Sequence, residues 1–167
     1  MNLEEHFIHS SYRERLIEHL FVGELLKHSW LGGRYGLEVA KPEVDNSGYD
    51  LIAEDNGVIR HLQLKASSRE AKTVKQNVHT ALGTKPSGVV VWVQFDAATL
   101  ELGPYLIFGG SPGQPLPDLS GLKVAKHTKG NAEGIKAERP AIRVVPKSRF
   151  NKYESAEEVY KTLFGTL

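Results

Sequence analysis

The first apolar pattern along the chain predicts a helix over residues 12–28. Apolar side chains recur there every three or four positions, which is the spacing of an amphipathic helix; they are Leu16, Ile17, Leu20, Phe21 and Leu25. Ser11 followed by Glu14 has the spacing of a capping box, in which each residue satisfies backbone groups at the helix start. The glycine pair 32–33 then predicts the helix end.

Shorter apolar runs between turn residues predict the strands of a sheet. They cover residues 37–40, 49–54, 58–65, 89–93, 105–108 and 141–145. Asp55-Asn56-Gly57 predicts a tight turn between the second and third of them. The run Val-Val-Val-Trp-Val at 89–93 predicts a central strand buried on both faces. Helices are predicted over 72–82 and 154–164, with Ser155 near the cap of the last, and 109–117 is a Gly- and Pro-rich loop.

Length and composition indicate one globular domain. The chain has 167 residues and no cysteine, which excludes disulfides and thiolate chemistry. We expect a core over about 12–110, followed by a basic extension and closing helix over about 118–167. Residues 1–6 lack the features of a signal peptide, and no apolar run reaches the roughly 20 residues of a membrane span. These features predict a cytoplasmic protein with no membrane segment.

Charge is distributed unevenly, although the net charge is only +1. The segment 38–54 is acidic. Residues 123–152 carry two glutamates, Glu133 and Glu138, against nine basic residues: Lys123, Lys126, Lys129, Lys136, Arg139, Arg143, Lys147, Arg149 and Lys152. A basic region beside an acidic centre is typical of a protein that holds a polyanion near a metal, and a solvated basic surface without a partner explains it equally well.

The most informative polar residues lie on the predicted hairpin. Asp50 lies on one strand, and Gln63 and Lys65 lie on the next. Because side chains alternate along a strand, Gln63 and Lys65 share one face, with His61, while Leu64 points to the other. We interpret His61 as a surface histidine. The histidines have no metal-ligand spacing. The Gly-rich stretch 109–113 lacks the Lys-Ser/Thr ending of a Walker loop, and we interpret it as an ordinary loop.

The spacing of Asp50, Gln63 and Lys65 resembles the PD-(D/E)XK nuclease superfamily, with Gln in place of Asp or Glu. The resemblance covers roughly residues 12–95. It implies an α/β fold of the restriction-endonuclease-like type, with an αβββαβ core and a mixed central sheet flanked by helices. It also implies a Mg²⁺-dependent deoxyribonuclease, with Mn²⁺ as a substitute and no small-molecule cofactor. A homodimer is expected by the same analogy.

The resemblance assigns roles to individual residues. Asp50, the side-chain oxygen of Gln63 and the backbone carbonyl of Leu64 would bind the metal, and Lys65 would assist the attacking water. Since Gln63 lacks a negative charge, we expect a compensating carboxylate. Glu24 is our choice, because it falls within the apolar stripe of the first helix, where an unpaired charge is costly. Glu14 is explained by the capping box, and Glu18 is a weaker alternative.

Further polar residues are expected to contact nucleic acid. Ser67 and Ser68 follow the lysine, and a strand-end turn explains them equally well. Lys72 and Lys75, with Gln76, begin the predicted second helix. The basic region adds five cations to the expected DNA contacts: Lys126, Lys129, Arg143, Lys147 and Arg149.

Three functions fit these residues. The first is metal-dependent hydrolysis of DNA. The second is a binding module on the same fold that has lost catalysis through Gln63. The third is a structural domain in which Asp50 and Lys65 form an ion pair across neighbouring strands.

Overall fold

The computed structural model describes residues 9–44 and 46–165, so the acidic segment 1–6 lies outside the described part. The long helix α1 spans Ser10–Leu31 and the closing helix α2 spans Ala156–Phe164. The first strands are β1 (Glu38–Ala40), β2 (Leu51–Asp55), β3 (Val58–Ser68) and β4 (Lys75–His79). They are followed by β5 (Gly88–Phe95), β6 (Leu102–Gly109), β7 (Val124–Lys126), β8 (Glu138–Pro146) and β9 (Asn151–Tyr153).

The strands form two sheets. Six of them form a mixed sheet in the order β1-β2-β3-β5-β6-β9, and three form an antiparallel sheet in the order β4-β8-β7. Within the large sheet β1, β2 and β3 are antiparallel neighbours, and β5 runs parallel to β3. The α/β class is therefore confirmed. Neither described helix is long and apolar enough to cross a lipid bilayer.

The central strand β5 is covered on both sides, as its sequence predicts. On one face both helices pack on the sheet, through side chains such as Phe21, Leu25, Val159 and Leu163. On the other face Val90 and Trp92 pack against the small sheet and the adjoining loops, in a cluster that includes Val78 and Val145. The molecule thus has three layers: helices, six strands and three strands.

The hairpin that carries the sequence motif forms as expected. Asn56 and Gly57 both have positive φ, 52° and 78°, which is the backbone of the two-residue turns that suit the twist of antiparallel strands. Leu51 pairs with Leu62, and Asp55 pairs with Val58. This register sets where Asp50 meets β3.

Two local predictions are wrong. The segment predicted as a helix over 72–82 contains strand β4 and a short 3₁₀ helix, Thr80–Thr84. The capping box predicted at Ser11 and Glu14 does not form, because α1 begins two residues earlier than predicted and its N-cap, His9, makes no side-chain capping bond. A capping box is present on α2 instead, between Ser155 and Glu158.

A buried polar cluster ties α2 to the rest of the domain. Asp55 is 1% exposed and accepts hydrogen bonds from Arg34 Nη1 at 2.8 Å and from the Tyr160 hydroxyl at 2.5 Å. Arg34 also reaches the backbone oxygen of Gly165 at 3.4 Å. The hydrogen bond between Arg34 and Asp55 raises the pKa of Arg34. Burial, together with the separate hydrogen bond of the Tyr160 hydroxyl to Asp55, raises the pKa of Tyr160.

We expect Asp55→Ala to lower the free energy of unfolding by about 3–5 kcal/mol, because Arg34 loses its partner in a buried setting. Tyr160→Phe removes one hydrogen bond and should cost about 1 kcal/mol. Urea unfolding measures both. The control is Glu157→Ala, which breaks an exposed helix pair with Lys161 and should change stability by less than about 0.5 kcal/mol. Equal effects of the three variants would contradict this account of the cluster.

Candidate functional site

A groove of about 560 Å³ opens between the first turns of α1 and the two sheets, and we call it the central groove. Three carboxylates and two cations line it: Glu14, Glu18, Asp50, Arg15 and Lys65. Its other lining residues are Ser11, Ile17, Leu64, Ala66, Gln76 and Val93. The structure therefore brings Asp50 and Lys65, the two outer residues of the sequence motif, to one place.

Backbone contacts with β3 fix the position of Asp50. Its N–H donates to the Leu62 oxygen at 2.8 Å, which extends the β2–β3 pairing by one residue. Its carboxylate Oδ2 accepts from the Leu64 N–H at 2.6 Å. The preceding chain passes so close to β4 that a Cβ at Gly48, where φ is +75°, would lie 2.6 Å from the His79 Cβ. Asp50 is thus held from two sides by rigid strands.

Strand alternation separates the residues of β3 as predicted. Leu64 packs against the helix-side core, whereas Lys65 pairs in register with Trp92, whose side chain lies on the small-sheet side. The N–H and C=O of one strand residue point to the same side of the strand. Because the Leu64 N–H meets Asp50, the Leu64 carbonyl is directed to that same edge.

Gln63 lies deeper than the sequence motif suggests. The residue is 9% exposed, it pairs in register with Val90, and it is not among the residues that line the central groove. Its Oε1 is buried and has no hydrogen-bond partner among the described residues. An unsatisfied buried oxygen is costly, so this acceptor is suited to a cation or a donor from outside the chain.

Glu24 is not the carboxylate that joins Asp50, contrary to the expectation from the apolar stripe. It lines a separate cavity with His28 and Tyr105, and its carboxylate lies 3.4 Å from Lys27 Nζ and 3.8 Å from His28 Nε2. Six residues separate it from Glu18, which places it about 9 Å further along the helix and on another side.

The helix carboxylates at the central groove are Glu14 and Glu18. Glu18 is 8% exposed and forms ion pairs with Lys41 and with Arg15, the latter at 3.3 Å. Glu14, with no capping box to occupy it, lines the groove one turn earlier. A signal for both existed in the sequence, since positions 14 and 18 are one helical turn apart and share a face.

The donor set of the central groove fits Mg²⁺ only in part. Magnesium prefers oxygen ligands and is bound in proteins through one or two carboxylates plus water and substrate oxygens. Asp50, Glu18 and the Leu64 carbonyl are oxygen donors of this kind, whereas Gln63 Oε1 lies outside the groove lining. However, the described residues contain no group of three or more His, Asp or Glu side chains arranged to hold a metal ion.

The serines and lysines near the motif have other surroundings than expected. The Ser67 hydroxyl accepts from Trp92 Nε1 at 2.8 Å, and Ser68 ends β3. Lys72 is exposed in the loop before β4, and Lys75 begins that strand, not a helix. Of Lys72, Lys75 and Gln76, only Gln76 lines the central groove.

The five cations expected to contact DNA are not among the residues that line the central groove. Lys126 ends β7, and Lys129 lies in the exposed connection to β8. Arg143 donates to the Pro140 backbone oxygen at 2.6 Å, and Lys147 Nζ lies 5.5 Å from the centre of the Trp92 ring. Arg149 is exposed. These residues form a separate basic surface on and beside the small sheet.

His61 is half-buried between the layers and is not a surface residue. Its ring packs edge-on against Tyr49 at 5.0 Å, and its Nδ1 is buried without a partner among the described residues. Burial, with a contribution from the charge of Lys85, lowers the pKa of His61. The neutral imidazole is therefore favoured in the fold.

Comparison of the sequence with models of known protein families gives no match, and comparison with curated proteins gives no match either. Function must therefore be inferred from the central groove and its surroundings.

We expect the folded protein to lose stability as the pH falls below about 6.5, the pKa of an unperturbed histidine. His61 has a lowered pKa when folded, so the unfolded chain binds its proton first and is favoured. For one proton the slope is at most about 1.4 kcal/mol per pH unit. Urea unfolding at several pH values between about 7.5 and 5 measures this slope. The range extends roughly one unit or more on each side of 6.5.

His61→Gln should flatten that pH dependence. His127→Gln, at an exposed position, is the matched control and should leave it unchanged. An unaltered slope in His61→Gln would show that other groups cause the acid sensitivity.

Proposed function

We propose that this protein is a metal-dependent nuclease whose catalytic centre is the central groove. The observation that carries the proposal is that Asp50 and Lys65, separated by a hairpin in sequence, line one groove together with Glu14 and Glu18. Carboxylates and a lysine on a rigid sheet edge are the groups that phosphodiester hydrolysis requires, because negative charge develops on the phosphate oxygens.

Each residue has a distinct task in this proposal. Asp50, Glu18 and the Leu64 carbonyl would hold Mg²⁺ or Mn²⁺, and the buried, unsatisfied oxygen of Gln63 would be a further neutral donor. The ion supplies charge neutralisation at the phosphate and lowers the pKa of bound water. Lys65, on the opposite face from Leu64, orients the attacking water or neutralises a phosphate oxygen. The Leu64 N–H keeps the Asp50 carboxylate in position.

The strand order supports a variant of the restriction-endonuclease-like fold. The chain runs helix, then three antiparallel strands, then a strand parallel to the third. The helix expected between the third strand and its parallel neighbour is replaced by β4 and a 3₁₀ turn. We infer that the small sheet takes the place of that helix and forms one wall of the substrate groove through Gln76.

A binding module without catalysis is the second candidate function. Two observations favour it: Gln63 supplies no charge, and Glu18 is held in ion pairs with Lys41 and Arg15. Metal binding requires the Glu18 carboxylate to exchange these partners for the ion. In this alternative the groove and the basic surface bind DNA, and the domain lacks cleavage activity.

We expect Mn²⁺- or Mg²⁺-dependent nicking of plasmid DNA by the wild type. Asp50→Ala and Lys65→Met should each lower the nicking rate at least about 100-fold, as loss of a charge-stabilising group does in other enzymes. Glu18→Gln should lower it as well. Glu24→Gln, the matched control in the separate cavity, should retain full activity. Gel analysis of plasmid forms measures all four.

Titration calorimetry of Mn²⁺ into the same variants separates the alternatives. Loss of metal binding in Asp50→Ala together with loss of nicking supports the nuclease. DNA binding without nicking by the wild type supports the binding module. The third possibility is a structural ion pair between Asp50 and Lys65. It would be supported if Asp50→Ala and Lys65→Met lose much stability and the wild type binds neither metal nor DNA.

Gln63→Glu tests the buried donor independently of cleavage. In the absence of metal, the carboxylate introduced at position 63 is buried without a charged partner. The variant should therefore unfold at a lower temperature than the wild type. Mn²⁺ should raise its unfolding temperature more than that of the wild type, because the site gains a charged ligand. Differential scanning calorimetry measures both changes. An equal response to Mn²⁺ in the two proteins would place Gln63 outside the metal site.

A further inference from the structure

The small sheet ends in a projecting two-stranded ribbon over residues 126–141, formed by the end of β7, the connection 127–137 and the start of β8, which we call the basic ribbon. Every residue from 126 to 141 is exposed. The backbone bond from His127 N to the Ala137 oxygen, at 2.9 Å, continues the pairing beyond β7. The ribbon therefore extends into solvent, and its tip has no packing partner among the described residues of the other elements.

The tip of the basic ribbon is a tight turn built around Asn131. Its side-chain Oδ1 accepts from the N–H groups of Glu133 and Ile135, and its own N–H donates to the Ile135 oxygen. Gly130 and Gly134 approach so closely that a Cβ at Gly130 would lie 2.7 Å from Gly134. These contacts give the tip a defined shape.

The charge of the ribbon favours an anionic partner. Of its two acidic residues, Glu133 accepts from the Asn131 amide at 2.7 Å, and Glu138 lies opposite Lys126 in the register. Further cations at its tip are exposed: Lys129, Lys136 and Arg139. The segment 124–146 contains no Phe, Tyr or Trp. It therefore lacks the stacking platforms by which proteins bind single strands.

The ribbon and the central groove lie at opposite ends of one strand. Gln76, which lines the groove, pairs with Val145 on β8, and the ribbon begins at the other end of β8, at Glu138. Seven residues separate the two points, which is at most about 25 Å of extended chain. Such a distance corresponds to about seven base pairs of duplex DNA, at roughly 3.4 Å per base pair.

We infer that the basic ribbon enters the major groove of duplex DNA and holds the duplex within about one helical turn of the central groove. A two-stranded ribbon fits the roughly 12 Å width of the B-form major groove. The narrow major groove of duplex RNA excludes it. This inference rests on the proposed nucleic-acid substrate, and it names that substrate as double-stranded DNA held through the tip cations.

The test compares two variants that each lose two positive charges. Lys129→Gln/Lys136→Gln removes cations of the ribbon tip. Lys27→Gln/Lys161→Gln removes exposed cations of the two helices, each in a surface pair with a neighbouring glutamate. Fluorescence anisotropy with a labelled 20-base-pair DNA duplex in EDTA measures the Kd across salt concentrations, independently of cleavage; the length is chosen to span about two helical turns.

The ribbon variant should bind the DNA duplex at least about 10-fold more weakly, and its salt dependence should fall by up to about two in log–log slope, because each lost phosphate contact contributes about 0.9. The helix variant should match the wild type. The ribbon substitutions should leave binding of the single strand and of duplex RNA unchanged.

Three outcomes would overturn the inference: equal losses in the two variants, equal losses on single-stranded DNA, and loss on duplex RNA of the same size. Its failure is distinct from failure of the proposed nuclease. If DNA binding depends on the ribbon but the wild type does not nick DNA in Mn²⁺, the proposed nuclease activity is wrong and the ribbon inference stands. Nicking without dependence on the ribbon removes the ribbon inference alone.

Discussion

The parallel pairing of β3 with β5 is the constraint on which the rest of the structure depends. All eight residues of β5 are buried, so both of its faces must be covered. Two helices satisfy one face and the small sheet satisfies the other. Since β3 lies beside β5, its alternating side chains are directed into two different layers, which is why Leu64 joins the helix side and Lys65 does not.

The position of Asp50 follows from that pairing. β3 is longer than its partner β2 and continues past Leu62 towards the central groove. Beyond the end of β2, the Leu64 N–H has no strand residue opposite it, and the Asp50 carboxylate takes that place. A side chain that completes a strand edge is fixed by the same forces as the sheet. The site is thus set by β3 rather than by a flexible loop.

Local patterns in the sequence were sufficient for the elements whose partners are near in the chain. The helix α1, the hairpin with its Asn56-Gly57 turn, β5 and α2 were predicted because their own spacing or turn residues define them. The helix predicted over 72–82 is wrong, although Val74, Val78 and Leu82 recur there every four residues, a spacing compatible with a helix. The strand in this segment exists through pairing with β8, more than 60 residues later, which no local pattern contains.

The prediction of the site residues has the same limit, because local sequence patterns do not contain long-range contacts. Asp50 and Lys65 were found because they sit on one hairpin, where register is local. Glu24 was chosen from the middle of the apolar stripe, although the part of α1 that faces the sheet edge depends on how the whole helix lies on the sheet. Only the structure shows that its first turns reach Asp50, and that Glu18 is paired there with Lys41 from the neighbouring strand segment.

The charge distribution explains how an acidic groove and a polyanion are compatible. Residues 123–152 carry an excess of seven positive charges in a chain of net charge +1, so the remainder carries an excess of six negative charges.

Carboxylates in the central groove repel phosphate until a cation neutralises them. Attraction must therefore come from elsewhere on the molecule. The ribbon begins seven strand residues from the groove, which is about 23 Å at roughly 3.3 Å per residue, and its tip lies beyond that point. This distance exceeds the roughly 8 Å screening length at physiological salt, so the tip cations do not cancel the charge of the groove. In the proposed function, separation of the two charges along β8 would let the ribbon hold the DNA backbone while the groove keeps its carboxylates available for a metal ion.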